Sequence, residues 1–250
     1  MTGTVAQIWR HPIKSHGRES LKSTALMIGQ TLPWDRHWAV LHDLARHDGD
    51  GWAPCQNFMI GARIPALAGL WAELEDTTGT VTVRHKKLGE FGFRPDDPLE
   101  AQSFFAWLAP IMPDNRAQPR RIVTAGKRGM TDSDFPSVSI MNMASHRAVS
   151  QKIGRPIESE RWRGNIWLDG LAPWEEFDWI GRDLRIGTAI LRIREPIVRC
   201  MHTTANPVSG IRDTDTLGAL EDGWGHQDFG VNAEVVQSGT VSVNDPIEVM

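Results

Sequence analysis

The chain has 250 residues, of which 40% are hydrophobic and 23% are charged, as is ordinary for a water-soluble globular protein. Its 27 basic and 31 acidic residues are interspersed and give a net charge of −4, so we expect no nucleic acid and no membrane as partner. No segment approaches the roughly 20 apolar residues that a membrane-spanning helix needs, and the N-terminus does not resemble a secretory signal. With only two cysteines, these features predict a cytoplasmic protein without a disulfide scaffold.

The first half of the chain has mainly strand patterns. Partly alternating apolar residues predict strands over 5–9 and 38–41, and a Gly-containing turn at 76–79 predicts a hairpin. We expect the charged, weakly periodic segment 86–97 to be a loop. The segment 114–133, rich in Arg, Gly and Asp, is the best candidate for a long loop or a domain boundary.

A helix is predicted to begin after Asp97, between these two segments. The carboxylate of Asp97 can cap the helix, Pro98 suits its first position, and Glu100 completes a pattern similar to a capping box. Leu99 and the aromatic residues that follow it are expected to form the apolar face of this helix.

The second half is predicted to contain one helix followed by strands. The helix covers 143–153, and Gly154 suits its C-terminal end. Pro196 has no N–H to donate and is expected to end sheet pairing, and the last two strands are expected to form a closing hairpin. The predicted strands cover 165–168, 184–193, 229–236 and 240–249. The expected fold class is therefore mainly β with a few helices (α+β).

Cys200 is the residue whose surroundings most suggest chemistry. It follows Arg199, where a predicted strand gives way to a polar loop. A thiolate beside a cation at the edge of a sheet can bind a soft metal or take part in sulfur chemistry. Most free cysteines are instead small buried hydrophobic side chains, and the local sequence leaves both interpretations open.

Three short segments place cations and polar side chains next to predicted strands. Lys14 and Ser15 follow the first strand, and Arg36 precedes another. Arg163 and Asn165 lie at the start of a strand in the second half. Arginine forks bind phosphate or carboxylate, so cations that converge from separate strand ends would suit an anionic cofactor. Each segment alone is equally compatible with an ordinary exposed cation or ion pair.

Other kinds of site have less support. A zinc site would need about four Cys or His ligands, usually in close pairs, and no such pair is present. The candidates for it would be Cys200, His202, His42 and His47. Cysteine-protease chemistry is disfavoured because an arginine precedes Cys200 and no Gly-rich helix start follows it. The sequence has no glycine-rich phosphate loop, so nucleotide-binding folds are not supported.

Four motifs occur in order along the chain. They are Pro12-Ile13-Lys14-Ser15, Asp35-Arg36-His37-Trp38, Arg163-Gly164-Asn165-Ile166, and Arg199-Cys200 followed by Thr203-Thr204 and Asn206-Pro207. With the ending over 229–231 and 239–245, this set resembles the MOSC superfamily, and within it the amidoxime-reducing proteins. The resemblance implies a β-rich MOSC N-terminal domain over 1–115 and a β-barrel MOSC domain over 116–250.

The resemblance implies a molybdenum cofactor, which is a pterin dithiolene (molybdopterin) that carries a phosphate and a molybdenum centre. By position, Cys200 would be the metal ligand and the catalytic residue. A thiolate suits a soft metal, and cations suit a phosphate. Pyridoxal phosphate binding is implied only at the level of the whole family. The residues that would hold the cofactor are Lys14, Ser15, Arg36, His37, Asp134, Arg163, Asn165 and Arg199.

The resemblance also implies an oxidoreductase that reduces N-oxygenated (N-hydroxylated) small molecules by oxygen-atom transfer at molybdenum. A separate electron-donor protein would be needed, because the chain has no four-cysteine cluster. His202 and Asp213 are candidates for proton supply. One alternative is a sulfur or cofactor carrier with a persulfide on Cys200. Another is a binding protein with a degenerate site.

Three positions depart from the family pattern. Ile197 or Val198 stands where close relatives often have a second cysteine. Asn244 replaces the usual glycine near the C-terminus, which predicts a left-handed turn there. The segment 52–57, which contains Cys55, replaces a stretch that is usually Thr-Gln-Arg.

Overall fold

The structure is a computed structural model that describes residues 3–250. The strands are β1 (Thr4–Arg10), β2 (Glu19–Leu21), β3 (Ser23–Leu26), β4 (Trp38–His42), β5 (Trp71–Glu75), β6 (Thr80–His85), β7 (Gly89–Phe93), β8 (Pro119–Thr124), β9 (Val138–Asn142), β10 (Ile166–Asp169), β11 (Asp183–Ile186), β12 (Ala189–Val198), β13 (Asp228–Gln237), β14 (Gly239–Ser242) and β15 (Ile247–Val249). The helices are α1 (Pro98–Leu108), α2 (Met143–Ile153) and α3 (Thr216–Trp224), and short 3-10 turns include Cys55–Asn57, Ser159–Trp162 and Met201–Thr204. Within residues 3–250, no helix is both long and apolar enough to cross a membrane.

An eight-stranded sheet forms the larger part of the molecule. Its strand order is β15-β11-β12-β13-β9-β10-β1-β2, and its pairs are antiparallel except for β9 with β10. A parallel pair needs a crossover connection, which here contains α2. Buried residues from both ends of the sheet, such as Ile8 in β1 and Ile247 in β15, belong to one aliphatic core. The sheet therefore curls around this core.

The N-terminal half adds smaller sheets. β5, β6 and β7 form a three-stranded sheet, β4 pairs with β8, and β3 pairs with β14. Helix α1 packs aromatic side chains against the three-stranded sheet, with the ring centroids of Phe93 and Phe104 only 4.2 Å apart. Because β1 and β2 belong to the large sheet, the chain crosses from one part of the molecule to the other between β1 and β4.

Backbone hydrogen bonds fasten the segments that make this crossing. The N–H of Arg36 donates to the carbonyl oxygen of His11 at 2.7 Å, and the N–H of Lys14 donates to that of Trp38 at 2.7 Å. The carbonyl of Arg36 accepts in turn from the N–H of Met130 at 2.7 Å. The residues that follow β1 and those that precede β4 are therefore held side by side.

Several local predictions are confirmed. The fold is mainly β with three α-helices in the described residues. The Asp97 carboxylate accepts hydrogen bonds from two backbone N–H groups in the first turn of α1. Helix α2 begins after Asn142 and ends at Gly154, whose φ is 84°. Asn244 has a φ of 75°, as its place in the family's glycine position predicted.

The predicted pairing near the C-terminus is wrong. β14 pairs with β3 instead of β13, and β13 lies between β12 and β9. Pro196 does not end the sheet, because β12 continues to Val198 and Pro196 stands opposite Val231 at an irregular stretch of the pairing. The predicted strand over 184–193 is a hairpin of β11 and β12, which turns at Gly187 with a φ of 56°.

Three predictions in the first half are also wrong. The expected loop 86–97 contains β7, which pairs with β6, and the segment 114–133 is not one long loop, because it contains β8, which pairs with β4. Leu99 is 81% exposed, because α1 packs through residues such as Phe104 and Leu108. The division of the chain at residue 115 stays a prediction.

Candidate functional site

A cleft lies between the segment that follows β1, the segment that precedes β4, and the end of β12. Its empty volume is about 700 Å³, including the part open to solvent. Five of the residues that line it are Lys or Arg, and one is acidic. An excess of positive charge in a confined space favours an anionic ligand. The ionisable lining residues are Lys14, Arg36, Arg161, Arg163, Arg199, Asp132, His202, Cys55 and Cys200.

Lys14 is buried, and its ammonium group is held by the segment that contains Met130 and Asp132. Its Nζ donates to the carbonyl oxygen of Met130 and to Oδ1 of Asp132, both at 2.6 Å. Partial withdrawal from water in the cleft opposes ionisation of Asp132, but the charge and hydrogen bond of Lys14 lower the pKa of that carboxyl. The ammonium group is therefore fixed inside the cleft beside a single carboxylate.

Arg36 is oriented by a buried carboxylate. Its guanidinium pairs with Asp35, and its Nη2 donates to the carbonyl oxygen of Arg163 at 2.9 Å. Asp35 also accepts from the N–H of His11 at 2.7 Å. Burial opposes ionisation of Asp35, but Arg36 and His11 lower its pKa. Burial and the charge of Arg163 lower the pKa of His11 to about 3, so this ring is neutral near pH 7.

Arg163 brings an unpaired donor to the cleft. Its Nη1 donates to the carbonyl oxygen of Gly17 at 3.1 Å, whereas its buried Nη2 has no hydrogen-bond partner among residues 3–250. Burial, followed by the charges of Arg36 and Arg18, lowers the pKa of Arg163 to about 9. A buried donor without an acceptor carries its full desolvation penalty, so this arrangement favours a ligand that accepts a hydrogen bond.

Three of the cleft residues have an unusual backbone conformation. Ser15, Arg36 and Arg163 have φ values of 62°, 50° and 50°, in the left-handed region that non-glycine residues seldom adopt. Only six non-glycine residues between 3 and 250 have a positive φ, so half of them line this one cleft. Such conformations cost on the order of 1–3 kcal/mol each and cluster at functional sites.

Arg199 and Asn165 connect the strands behind the cleft. Arg199 donates to two backbone carbonyl oxygens at 2.8 Å, and burial lowers its pKa to about 9. Asn165 accepts from the Ser139 hydroxyl at 2.8 Å and donates to the carbonyl oxygen of Trp9 at 3.2 Å. The amide of Asn165 thereby joins β1 and β9 at the start of β10.

Cys200 lines the cleft directly after β12, on an extended backbone that starts the turn Met201–Thr204. Its side chain is exposed, so the interpretation of Cys200 as a small buried hydrophobic residue is wrong. His202 lies on the same turn and also lines the cleft. Burial, followed by the charges of Arg163 and His11, holds the pKa of His202 well below 6.5.

Two predicted residues lie elsewhere. His37 packs against Trp34 and Trp38, with its ring centroid 4.7 Å from each, and is not part of the cleft lining. Asp213, a candidate proton donor, accepts a hydrogen bond of 2.7 Å from the buried Arg161. Its carboxylate therefore pairs with an arginine of the cleft lining, although Asp213 does not line the cleft itself.

Three ionisable cleft residues, Asp132, Arg161 and Cys55, are absent from the sequence prediction. Both side chains are exposed, but Asp132 lines the cleft and Asp134 does not. Nothing in the sequence distinguishes these two carboxylates, because both lie in one polar segment. Cys55 lines the cleft together with Cys200. Its signal in the sequence is that it is one of only two cysteines.

The chain matches two protein families in succession. Residues 2–107 match the MOSC N-terminal beta barrel domain, and residues 128–248 match the MOSC domain. Mitochondrial amidoxime-reducing component 1 of Mus musculus is 23% identical over 244 residues, which cover 84% of this chain and 68% of that protein. The Xenopus laevis protein of the same name is 24% identical over 151 residues, which cover 56% of this chain and 43% of that protein.

One solved structure has the same kind of fold, and another superposes over less than half of the chain. The YuaD protein from Bacillus subtilis superposes with a TM-score of 0.50 at 14% identity, over 100% of this chain and 96% of that chain. YiiM from Geobacillus stearothermophilus has a TM-score of 0.35 at 18% identity, over 45% of this chain and 53% of that chain. The first likeness concerns the fold alone. On its two successive domain matches, the chain belongs to the MOSC family.

Proposed function

We propose that this protein binds a molybdenum cofactor and reduces N-oxygenated small molecules by oxygen-atom transfer. The observation that carries the proposal is a cation-rich cleft in which the buried Nη2 of Arg163 lacks an acceptor and the thiol of Cys200 is exposed. A phosphate-bearing cofactor with a soft metal would match both groups. Membership of the MOSC family and the distant similarity to amidoxime-reducing components support the same choice.

The cleft residues divide by the part of the cofactor that they suit. Cys200 would bind molybdenum through its thiolate. The cations would bind the phosphate, and the Ser15 hydroxyl would donate a hydrogen bond to it. His37 and Asp134 are left out of this set, because neither lines the cleft. The proposed phosphate-binding cations are Lys14, Arg36 and Arg163, with Arg199 and Asn165 holding the strands behind them.

The bound cofactor would supply the oxygen-atom transfer itself. The protein would hold the cofactor, offer the thiolate of Cys200, and leave the rest of the cleft for the substrate. Ile60, Ala62 and Val198 line the cleft and provide an apolar wall for the carbon part of a small molecule. His202 lines it too, and its ring nitrogens can hydrogen-bond to a substrate hydroxyl.

Electrons would come from a separate protein, and pyridoxal phosphate has no part in this proposal. A reducing compartment such as the cytoplasm suits it, because a cysteine binds a metal as the free thiolate. Both cysteines of the chain are free, which is consistent with that requirement.

The metal content of protein purified from a molybdopterin-competent host tests the binding part. We expect near-stoichiometric molybdenum and pterin in the wild type, and a loss of molybdenum of at least about tenfold in Cys200→Ser. Cys55→Ser, purified under reducing conditions, is the matched control, because it removes the other thiol of the same cleft and should keep the metal. Full molybdenum in Cys200→Ser, or none in the wild type, would contradict the proposal.

A simple aromatic amidoxime with a reduced viologen dye tests the reaction. We expect conversion to the amidine by the wild type and none by Cys200→Ser. The carrier alternative predicts a reducible sulfane sulfur on Cys200 and no bound molybdenum. Stoichiometric cofactor without reduction of any N-oxygenated compound would remove the reductase part of the proposal.

A further inference from the structure

Both cysteines of the chain line the same cleft. Cys55 begins the turn Cys55–Asn57, and Cys200 follows β12 far along the sequence. Each side chain is exposed, and neither is in a disulfide. Burial and the charge of Asp132 raise the pKa of Cys55, and so does Cys200, because two thiolates in one cleft repel each other.

The loop 55–62, which carries Cys55, packs directly against the turn Met201–Thr204, which follows Cys200. A Cβ atom on Gly61 would lie 1.9 Å from Nδ1 of His202, so only glycine allows this approach. The contact brings the loop onto the first turn after Cys200. The two thiols therefore lie on segments that touch each other.

Arg212 fastens the same two segments. Its Nη2 donates to the carbonyl oxygen of Ala62 at 2.7 Å. Its Nη1 donates to the Thr204 hydroxyl at 2.5 Å and to the carbonyl oxygen of Met201. One guanidinium thus connects the Cys55 loop with the turn after Cys200.

We propose that Cys55 is a second redox-active thiol of this site, which forms an intramolecular disulfide with Cys200 by exchange with a low-molecular-weight disulfide such as glutathione disulfide. Cys55 has no part in the proposed cofactor set. It lines the same cleft as the proposed metal ligand, and the segment that carries it contacts the turn after Cys200.

The reaction consists of two thiol–disulfide exchanges. The thiolate of one cysteine attacks a sulfur of glutathione disulfide, so that a protein–glutathione bond forms as the S–S bond of glutathione disulfide breaks. The thiolate of the other cysteine then attacks the protein sulfur of this mixed disulfide and releases the second glutathione. Cys55 and Cys200 lose two electrons and two protons, which leave as two glutathione thiols.

The consequence for the metal rests on the proposed function. A disulfide removes the thiolate that would bind molybdenum, so oxidised cofactor-free protein could not take up the metal. The same disulfide is reversible, and it protects the exposed Cys200 from oxidation to a sulfinic or sulfonic acid. Reduction would then return the site to a state that can bind cofactor.

The experiment uses cofactor-free protein from a host that cannot make molybdopterin. The protein is treated with glutathione disulfide and examined by intact mass and non-reducing peptide mapping. We expect both thiols to disappear together, the monomer to become two hydrogens lighter, and the peptides with residues 55 and 200 to be linked. Cys55→Ser should instead keep a glutathione adduct on Cys200.

A second variant controls for position. Cys55→Ser/Thr78→Cys moves the thiol to the exposed turn between β5 and β6, and it should collect separate glutathione adducts without a disulfide. Separate adducts on both cysteines of the wild type, a disulfide between two molecules, or two unreacted thiols would each overturn the inference. The wild-type measurement decides it even where a variant does not fold.

Molybdenum uptake distinguishes this inference from the proposed function. If only the proposed function is wrong, the disulfide forms and reduced wild type still binds no molybdenum. If only this inference is wrong, the reduced protein binds molybdenum and no disulfide joins residues 55 and 200. If both are right, uptake is lost after oxidation and returns after reduction with dithiothreitol.

Discussion

Arg161 and Arg163 both line the cleft but have opposite environments. The fully buried side chain of Arg161 lies 2.7 Å from carboxylate oxygens of both Glu158 and Asp213. Arg163, in contrast, has a buried Nη2 without a partner in the described residues. The chain itself completes the first site and leaves the second incomplete.

This difference separates a group that stabilises the fold from one that is available for a ligand. A buried charge that is fully paired contributes to a single arrangement of the chain, whereas an unpaired one costs folding free energy. The left-handed backbone of Ser15 and Arg36 on the other wall adds a second such cost. Both costs occur together in the cleft, which is where an anion would offset them.

The largest expected change in stability tests the site of Arg161, which the chain itself completes. Arg161→Met removes the partner of two carboxylates, each about one third exposed, and should lower the free energy of unfolding by roughly 2–3 kcal/mol. Urea denaturation measures this change. Arg147→Met is the control, because its exposed pair with Asp169 should contribute at most about 1 kcal/mol. Equal effects of the two variants would contradict the comparison.

The opposite result is expected for Arg163. Arg163→Met removes a poorly solvated cation beside Arg36 and should change the free energy of unfolding by less than about 1 kcal/mol. Under the proposed function, the same variant should retain about tenfold less cofactor, because one charged hydrogen-bond donor is lost. Stability and bound pterin are measured on the same preparation. A large loss of stability with unchanged pterin would place Arg163 among the structural arginines.

Crowding the loop that carries Cys55 should also lower the free energy of unfolding. Gly61→Ala places a methyl group against His202 and should cost about 1–3 kcal/mol of stability. Gly92→Ala is the matched control, because its added Cβ meets only Thr82 Oγ1 at 3.7 Å. In the double variant Gly61→Ala/His202→Ala, most of the loss should be recovered in urea denaturation. Strict additivity would show that the two residues do not pack together.

The smallest expected effect is a dependence of stability on pH at the N-terminal wall. His16 Nδ1 lies 2.7 Å from the carbonyl oxygen of Lys14, and burial lowers the pKa of His16 to about 4. The unfolded chain takes up a proton below about pH 6.5 while the folded one does not, so stability decreases as pH falls from 6.5 towards 4.

His16→Gln keeps an N–H for the Lys14 carbonyl but does not titrate. Between pH 6.5 and 5.5 this variant should lose about 1 kcal/mol less stability than the wild type. The pH dependence of stability that remains in His16→Gln should come partly from His11, whose pKa is also lowered by burial. Identical slopes for the variant and the wild type in urea denaturation would contradict this account.

The sequence alone predicted the features that depend on neighbouring residues. The caps at Asp97 and Gly154 follow from local backbone and side-chain chemistry, whereas the left-handed turn at Asn244 was predicted from the family resemblance. The ordered motifs around Lys14 and Cys200 indicated the family. Each of these signals lies within a few residues of the position that it describes, so no knowledge of the fold was needed.

Only the tertiary structure decided which distant side chains share the cleft. β14 pairs with β3 rather than with its neighbour β13, because strand pairing depends on the whole sheet and not on the intervening turn. For the same reason no local pattern distinguishes Asp132 from Asp134, places Cys55 beside Cys200, or leaves the Nη2 of Arg163 unpaired. Contacts across long sequence separations are set by how the strands assemble, and composition and spacing carry little of that information.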